Sequence, residues 1–460
     1  MIVMKFGGTS VESAEAIQRV MGIVKSRLDR KPIVVVSAMG KTTNRLLKIA
    51  DLAVSGQRDE ALRELTSLRD FHLRESGMER TVDEHFQELS ELVKGLAVLG
   101  ELTPRSIDAI SSFGERLSSL IVTNYFQHHG LKAAHVDSRK VIITDHRHTQ
   151  AIPLFEETYA KLAGAIPPLA KQQVVVMGGF IASTANGVTT TLGRGGSDFT
   201  AALVGGGVHA EAIEIWTDVN GIMTTDPRVC PDALRVKTIS FEEAAELAYF
   251  GAKVLHPATI LPAVQKNIPV LVLNSRNPEN EGTRIISLAP HCDSPFKSIA
   301  VKKRLTIIDV VASRMLMSHG YLKAIFEVFD KHKCPVDMVS TSEVSISLTV
   351  DSNEKLPEVA ADLSKLADVK YEGRKALVCM VGENIRGQNG IAARVFSAIR
   401  HINVRMISQG ASEINMSFMI DEDDADEAVR SLHAEFFESP DPEIFDVEAR
   451  KSATAADSVR

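Results

Sequence analysis

Short apolar runs alternate with helical patterns along about the first 285 residues of the chain. Several of these runs are almost wholly apolar, which is typical of parallel strands that are buried on both faces. Strands that alternate with amphipathic helices predict an α/β domain with a mostly parallel sheet covered by helices. The predicted strands are Ile2–Phe6, Pro32–Val36, Ala133–Val136, Gln173–Met177, Ala212–Trp216 and Pro269–Leu273.

Two helical regions belong to the same part of the chain. Thr9 and Glu12 have the spacing of a capping box, and the residues that follow give one apolar helical face, so we expect a helix capped at Thr9. Residues 56–102 are charged and helical in pattern without a chemical motif, and we interpret them as a helical excursion from the sheet.

The last third of the chain contains an internal repeat. A glycine-opened amphipathic helix begins at Gly320 and again at Gly390, an offset of 70 residues. Strand patterns at 343–351 and 413–421 keep that offset, whereas those at 336–340 and 404–408 differ by 68. The repeat predicts two compact modules, each with strand–helix–strand–strand order.

Composition excludes several classes of protein. The 460 residues include 52 basic and 59 acidic ones, and this net charge of −7 argues against a nucleic-acid binder. No run approaches the ~18 apolar residues of a spanning helix, and no signal peptide is visible at the N-terminus. Four cysteines without a CxxC pair suit a reducing compartment, so we expect a cytoplasmic enzyme without a membrane partner.

Three glycine-rich turns that follow predicted strands could bind anions. In the first, Gly7 and Gly8 follow Lys5 and Phe6, so backbone amides, a helix N-terminus and a point charge meet at one strand end. The second, Ser37–Thr43, looks like the end of a P-loop, but Val35 stands where that motif needs a glycine. We therefore interpret it as a hydroxyl-bearing turn that could bind a carboxylate or phosphoryl oxygen.

The third turn, Leu192–Asp198, combines glycines with charge. Arg194 offers a bidentate fork for a carboxylate or phosphate, and Ser197 could cap the following helix. Asp198 at that helix start could orient a lysine or a metal-bound water. These turns fit phosphoryl transfer to a small zwitterion.

Two further charged motifs leave alternatives open. Glu115, in an otherwise apolar helix, could receive an ammonium group or could be the partner of Arg116. The sequence Asp145–His148 has metal-ligating residue types, but without a third ligand nearby a solvated loop is the better interpretation.

The ordered motifs closely resemble aspartate kinases of the amino-acid kinase family, and the C-terminal repeat resembles that family's paired ACT domains. The motifs are KFGGTS at 5–10, FGERLS at 113–118, GGFIA at 178–182, LGRGGSD at 192–198, WTDVNGI at 216–222, TTDPR at 224–228 and GAKVLHP at 251–257. The resemblance implies a monofunctional enzyme, because a fused homoserine dehydrogenase would need several hundred more residues. The expected domains are a catalytic domain at 1–287, ferredoxin-like ACT modules at 298–372 and 373–445, and a disordered tail at 446–460.

The resemblance implies ATP-dependent phosphorylation of the L-aspartate β-carboxylate to 4-phospho-L-aspartate and ADP, the first step towards lysine, threonine and methionine. It assigns Lys5 and Asp198 to catalysis, and Mg²⁺ to the ATP oxygens without a side-chain ligand. Met223 departs from the tyrosine often found at its position. The residues implied for aspartate are Ser37, Thr43, Glu115, Arg194 and Ser197. Those implied for ATP are Lys5, Phe6, Gly7, Gly8, Thr217, Asp218, Met223, Arg228, Lys253 and Val254.

The first ACT module resembles the lysine-responsive class, which implies feedback inhibition by lysine in preference to threonine. Asp337 or Glu343 could receive the ammonium of the effector; alternatively, Asp337 is an exposed strand residue without that role. Paired ACT domains also imply a homo-oligomer, a dimer or a tetramer. The implied effector residues are Met315, Ser318, Gly320, Tyr321, Leu322, Val336, Asp337, Thr341, Ser342 and Glu343.

Two other functions remain as alternatives at this point. Glutamate or acetylglutamate kinases share the fold and the phosphate turns, but they are not expected to combine the FGE motif with paired ACT modules. A non-catalytic lysine sensor is disfavoured because Lys5, Glu115, Arg194 and Asp198 are all present.

Overall fold

The computed structural model describes residues 1–250, 259–292, 294–311, 320–351 and 355–447. Contacts divide the chain into two compact units. The N-terminal unit comprises residues 1–222, 238–241 and 254–289, and the C-terminal unit comprises 223–237, 242–253 and 290–460. Residues 223–237 and 242–250 therefore pack with the C-terminal unit, although they lie within the range 1–287 that the sequence predicts for the catalytic domain.

The N-terminal unit is built on parallel strands with helices around them. Its strands are β1 (Ile2–Phe6), β2 (Pro32–Val36), β3 (Ala133–Val136), β4 (Ile143–Thr144), β5 (Val174–Gly178), β6 (Ile181–Thr184), β7 (Thr189–Thr191), β8 (Ala212–Thr217), β9 (Thr238–Ser240), β10 (Val270–Asn274) and β11 (Thr283–Ile286). The helices up to residue 265 are α1 (Ala14–Lys25), α2 (Thr42–Val54), α3 (Arg58–Ser76), α4 (Glu79–Leu99), α5 (Pro104–Ser111), α6 (Phe113–His128), α7 (Phe155–Ala170), α8 (Gly196–Val208), α9 (Phe241–Tyr249) and α10 (Leu261–Gln265). All but the first residue of α9 belongs to the C-terminal unit.

The main sheet has eight strands in the order β3-β5-β2-β1-β8-β10-β11-β9, and β4, β6 and β7 form a small second sheet. Pairing is parallel throughout the main sheet except between β10 and β11. The six predicted strands are confirmed, with bounds shifted by at most one residue. All five residues of β2 and β5 are buried, as their apolar composition predicts for central parallel strands.

The predicted cap of the first helix is wrong. Helix α1 starts at Ala14, and the side chain of Ser13 accepts a hydrogen bond from the Ala16 amide at 3.2 Å. Residues 8–10 instead form a short 3₁₀ turn that tertiary hydrogen bonds hold in place. The Gly40 amide donates to the Gly8 carbonyl at 3.0 Å, and the hydroxyl of Ser10 lies 2.8 Å from that of Ser275. Because of these contacts, the helix begins about one turn later in the sequence than predicted.

The C-terminal unit contains one six-stranded antiparallel sheet, in the order β13-β14-β12-β15-β17-β16. Its elements are β12 (Ser298–Val311), α11 (Tyr321–Lys331), β13 (Val336–Thr341), β14 (Ser345–Asp351), α12 (Leu356–Leu363), β15 (Asp368–Val381), α13 (Ile391–Ala398), β16 (Met406–Gln409), β17 (Asn415–Asp421) and α14 (Ala425–Phe436).

The predicted repeat is confirmed in this sheet. Strands β14 and β17 differ by 70 residues at both ends, and α11 and α13 each follow a left-handed glycine, Gly320 (φ 81°) and Gly390 (φ 75°). The long strands β12 and β15 run through both modules, and their register shifts between Lys302 and Leu305. Residues 298–302 pair with 377–381, so the start of β12 lies beside the second repeat.

Two helical glycines offer a matched test of packing in the N-terminal unit. A Cβ at Gly207 of α8 would lie 2.8 Å from Leu162 Cβ, whereas a Cβ at Gly95 of α4 meets nothing within 4 Å. We therefore expect Gly207→Ala to destabilise the unit by about 1–3 kcal/mol through overpacking. Gly95→Ala should stabilise it by about 0.5–1 kcal/mol, because alanine is the better helix former.

Urea denaturation followed by the fluorescence of Trp216 measures both effects, since Trp216 is the one tryptophan of the chain and is buried in β8. Equal shifts of the two midpoints in the same direction would contradict this account of α8.

Candidate active site

A cavity of about 230 Å³ opens where several elements of the N-terminal unit end or begin. The carboxyl ends of β1, β2 and β5 meet there with the N-termini of α2, α6 and α8. Helix N-termini carry unpaired amides and a partial positive charge, so their convergence favours a negatively charged ligand. The residues that line the cavity are Lys5, Ser37, Thr43, Glu115, Phe180, Gly193, Gly195, Gly196, Ser197 and Asp198.

An ion pair lies at the centre of this lining. The Nζ atom of Lys5, on β1, is 2.7 Å from Oδ1 of Asp198, and the two side chains are only 12% and 14% exposed. Asp198 lies in the first turn of α8, whose N-cap is Gly195 (φ 73°). The expectation that Ser197 caps this helix is therefore wrong, whereas Asp198 does orient a lysine.

Glu115 is the most unusual group in the cavity. Its side chain is buried, and Oε1 accepts a hydrogen bond from the Ala38 amide at 3.1 Å. Oε2 is buried and has no hydrogen-bond partner among the residues that the structure describes. Burial raises the pKa of Glu115 to about 8, against smaller opposing effects of the Ala38 amide and the charge of Lys5. A carboxyl oxygen in this state can receive a hydrogen-bond donor or a cation from a ligand.

The sequence around Glu115 explains its position. A Cβ at Gly114 would lie 2.7 Å from the Ala38 side chain, so glycine allows α6 to approach the turn after β2. The alternative that Glu115 serves as the partner of Arg116 is wrong, because Arg116 forms an ion pair with Glu88 at 2.7 Å.

The remaining predicted aspartate contacts lie around the same cavity. The Ser37 hydroxyl donates to the Ser197 hydroxyl at 3.0 Å, and Thr43 lies in the first turn of α2. Arg194 is exposed on the loop between two cavity-lining glycines, and we find no ion pair of its side chain within the described residues. The structure thus brings four of the five predicted residues into the lining and places Arg194 on the loop that forms one wall.

The predicted nucleotide residues of the N-terminal unit follow β1 and its neighbour β8. The Gly7 amide donates to the Trp216 carbonyl at 3.3 Å, which places Gly7 and Gly8 beside the end of β8. Thr217 is half-buried and Asp218 is exposed. The Phe6 ring is buried and stacks on Trp216 with a centroid distance of 5.9 Å, so only the backbone of Phe6 could contact a ligand.

The other predicted nucleotide residues lie elsewhere in the chain. Met223 and Arg228 belong to the C-terminal unit, where the exposed Arg228 forms an ion pair with Asp226 at 2.6 Å. Lys253 and Val254 lie outside the described residues.

The predicted effector residues cluster only in part. Met315 and Ser318 lie outside the described residues, and Gly320, Tyr321 and Leu322 open α11. Val336 and Asp337 start β13, and the exposed Thr341, Ser342 and Glu343 lie at its end and in the hairpin that follows.

Asp337 already has a cationic neighbour. Nζ of Lys302 lies 2.8 Å from its carboxylate and 3.1 Å from that of Asp351. The Asp337 side chain is 7% exposed, and burial raises its pKa. The interpretation of Asp337 as a merely exposed strand residue is therefore wrong.

Sequence reasoning did not single out Phe180 as a site residue. It lines the cavity directly after β5 and has a left-handed backbone (φ 64°), which is uncommon for a bulky residue. Its place after Gly178 and Gly179 at a strand end is a signal that could have indicated it.

Neither a membrane-spanning helix nor a metal-ligand cluster occurs in the described ranges. Within them, no helix is both long and apolar enough to cross a membrane. The same ranges contain no cluster of three or more His, Cys, Asp or Glu side chains suited to a metal ion.

Comparisons with known proteins identify the class to which this site belongs. The model of the amino acid kinase family matches residues 1–274, and an ACT domain model matches 308–359 and 378–436. The chain is 40% identical to chloroplastic aspartokinase 2 of Arabidopsis thaliana over 95% of its own length and 84% of the relative's.

Bacterial relatives agree with this match. The chain is 37% identical to lysine-sensitive aspartokinase 3 of Escherichia coli K12, over 95% of this chain and 99% of that one. A crystal structure of E. coli aspartokinase III in complex with aspartate and ADP superposes with a TM-score of 0.83 at 36% identity, covering 95% of this chain and all of the other. The chain is a member of the amino acid kinase family. Within that family it belongs to the aspartokinases.

The raised pKa of Glu115 predicts a pH-dependent stability. Between about pH 4.5 and pH 8 the folded protein holds a proton on Glu115 that the unfolded chain releases. The contribution of this group therefore falls as pH rises through that window. We expect Glu115→Gln to become more stable relative to wild type from pH 5 to pH 8, by on the order of a few kcal/mol.

Urea denaturation of both proteins, followed by Trp216 fluorescence, measures this difference. Glu88→Gln is the matched control, because hydrogen bonding to Arg116 lowers the pKa of Glu88. The difference in unfolding free energy between Glu88→Gln and wild type should therefore stay constant above pH 5. A difference in unfolding free energy between Glu115→Gln and wild type that stays constant with pH would contradict a protonated Glu115 in the folded protein.

Proposed function

We propose that the protein transfers the γ-phosphoryl group of ATP to the β-carboxylate of L-aspartate. The observation that carries this proposal is the buried, unpartnered Oε2 of Glu115 in the same cavity as the Lys5–Asp198 ion pair. An α-ammonium group would supply the missing partner of Glu115, while Lys5 supplies positive charge for phosphoryl oxygens. The E. coli relative that binds aspartate and ADP supports this substrate pair.

Recognition of aspartate divides its three charges among different side chains. Glu115 would receive the α-ammonium group, and the guanidinium of Arg194 would bind the α-carboxylate in a bidentate manner. The hydroxyls of Ser37, Thr43 and Ser197 would hold the remaining oxygens. The β-carboxylate then faces the carboxyl end of β1, where Lys5 lies.

Phosphoryl transfer needs alignment and charge stabilisation more than covalent chemistry. Lys5 would neutralise the transferring group, and the amides of Gly7 and Gly8 would donate to its oxygens. Asp198 orients Lys5, because its carboxylate contacts Nζ at 2.7 Å in the structure. The charge of Lys5 is therefore preorganised before substrates bind.

We assign the nucleotide to Thr217 and Asp218, which follow β8 beside the Gly7 turn. We assign Mg²⁺ to the ATP phosphates, without a side-chain ligand. When bound, it would neutralise negative charge on the phosphate oxygens.

Regulation and assembly are part of the same proposal. Lysine would inhibit the enzyme from a site at the start of α11 and β13, as the name of the lysine-sensitive relative suggests. The chain would form a homo-oligomer through its ACT modules, whose outer strands expose Val339 and Ile407. The four cysteines of the sequence include no CxxC pair, which supports work in a reducing compartment such as the cytoplasm.

Substitution of Lys5 tests the catalytic part of the proposal. Because Lys5 supplies a preorganised charge, we expect Lys5→Ala to lower kcat with aspartate by about 10²-fold or more. Initial rates of ADP formation with aspartate, with glutamate and without an acceptor measure this and the acceptor preference.

Lys41→Ala is the matched control and should retain the wild-type kcat, since Lys41 is an exposed lysine that follows the neighbouring strand β2 and does not line the cavity. Wild-type turnover by folded Lys5→Ala would remove Lys5 from the mechanism, and a preference for glutamate would overturn the proposed substrate.

Substitution of Asp337 tests the effector site. We expect Asp337→Asn to raise the half-inhibitory concentration of lysine about tenfold or more, because an ion-paired contact is lost. Inhibition curves with lysine and with threonine measure this. Asp351→Asn is the matched control, because Asp351 also pairs with Lys302 but is not an assigned effector contact. Unchanged inhibition of Asp337→Asn would exclude Asp337 as the receptor for lysine.

A further inference from the structure

Asp108 is a fully buried carboxylate that the proposed reaction does not use. It lies on α5 and accepts from three donors that come from two distant segments. Nδ1 of His148 is 2.7 Å from Oδ2, the Thr149 amide is 3.0 Å from Oδ1, and the Thr191 hydroxyl is 2.5 Å from Oδ1. Four of its contacts thus join residues 148–149 to the end of β7.

Both of these segments adjoin the loop that carries Arg194. Thr191 is the last residue of β7 and precedes Arg194 by three positions. On the other side, the Thr149 carbonyl oxygen would lie 3.1 Å from a Cβ at Gly193. The Ala151 amide also donates to the Thr191 carbonyl at 2.9 Å. Asp108 therefore holds together the two segments against which the loop rests.

The loop needs such support because its own residues place few restraints on its conformation. Arg194 is exposed and lies between Gly193 (φ 75°) and Gly195 (φ 73°), two left-handed glycines with few conformational restraints. No ion pair of Arg194 occurs among the residues that the structure describes. The direction of its side chain thus depends on where the base of the loop is held.

Thr149 gives a second sign that Asp108 determines the local conformation. Its φ of 69° is left-handed, which is unfavourable for a β-branched residue. Such a backbone persists when surrounding contacts impose it. Here the Thr149 amide donates to both carboxylate oxygens of Asp108, at 3.0 and 3.1 Å.

We propose that Asp108 is a positioning residue that sets the loop of Gly193–Gly195, and through it places Arg194 for the α-carboxylate of the substrate. This inference rests on the proposed function for its substrate. Asp108 touches neither substrate nor nucleotide and acts only through the residues it binds. Its loss should therefore weaken aspartate binding more than nucleotide binding or the transfer step.

Asp108→Asn is the direct test, because it keeps the shape but presents an amide donor to groups that are themselves donors. We expect the KM for aspartate to rise about tenfold or more, while the KM for ATP stays within about twofold. In an Arg194→Ala background the same substitution should add little to the loss of kcat/KM, because the residue it positions is absent.

Limited trypsin digestion gives a readout that does not depend on activity. Cleavage after Arg194, identified by mass spectrometry, should become faster in Asp108→Asn, because the loop is released. Asp137→Asn is the matched control, since Asp137 also accepts from a backbone amide and from a side-chain N–H, but both belong to Arg139. It should leave both the KM for aspartate and the cleavage rate unchanged.

The outcomes separate this inference from the proposed function. Wild-type protein that fails to phosphorylate aspartate would overturn the function, whereas the cleavage rate still decides the role of Asp108. Unchanged cleavage after Arg194, equal effects on both KM values, or full additivity with Arg194→Ala would each overturn the inference. If Asp108→Asn does not fold, Thr191→Val removes one donor and is held to the same outcomes.

Discussion

The ion pair of Lys5 with Asp198 is the interaction on which the rest of the site depends. It joins the central strand β1 to the first turn of α8, so the sheet and the glycine-rich loop meet at one point. A lysine and a carboxylate that are both mostly buried lose hydration, and their contact at 2.7 Å offsets that loss. The parallel sheet brings Lys5 near Ser37 because strand ends of one polarity share an edge, and the first turn of α6 adds Glu115 to the same cavity.

Glu115 shows the opposite condition, a buried carboxyl without its full set of partners. Burial of an ionised carboxyl without partners costs folding free energy. The neutral acid costs less, and burial therefore raises the pKa of Glu115 to about 8. The ammonium group of a ligand would stabilise the ionised carboxylate and donate a hydrogen bond to Oε2. That interaction would link affinity for an amino acid to the burial of one side chain.

Local patterns predicted most of the fold and most of the cavity, and distant contacts explain the failures. Apolar runs predicted six of the eight main-sheet strands with bounds within one residue, and the repeat of 70 residues predicted β14 and β17 of the C-terminal sheet with bounds within two residues. The helix cap at Thr9 failed because Ser10 bonds to Ser275, 265 positions away. Asp108 was overlooked because its partners Thr149 and Thr191 are 41 and 83 residues distant. The position of Asp108 between the apolar residues Ile107 and Ile110 nevertheless indicated a buried carboxylate.

Glu115 and Asp337, the acidic side chains proposed to bind an ammonium group in the two units, differ in the partners they already have. Oε2 of Glu115 has no hydrogen-bond partner among the described residues, so an ammonium group can bind there in exchange for the proton that burial retains, without breaking an ion pair. Asp337 is already bound to Lys302, and an external ammonium must share or replace that contact. When one ion pair replaces another, the loss of the first contact offsets the gain from the second. An effector that acts at Asp337 must therefore gain affinity from further contacts, such as amides at the start of α11.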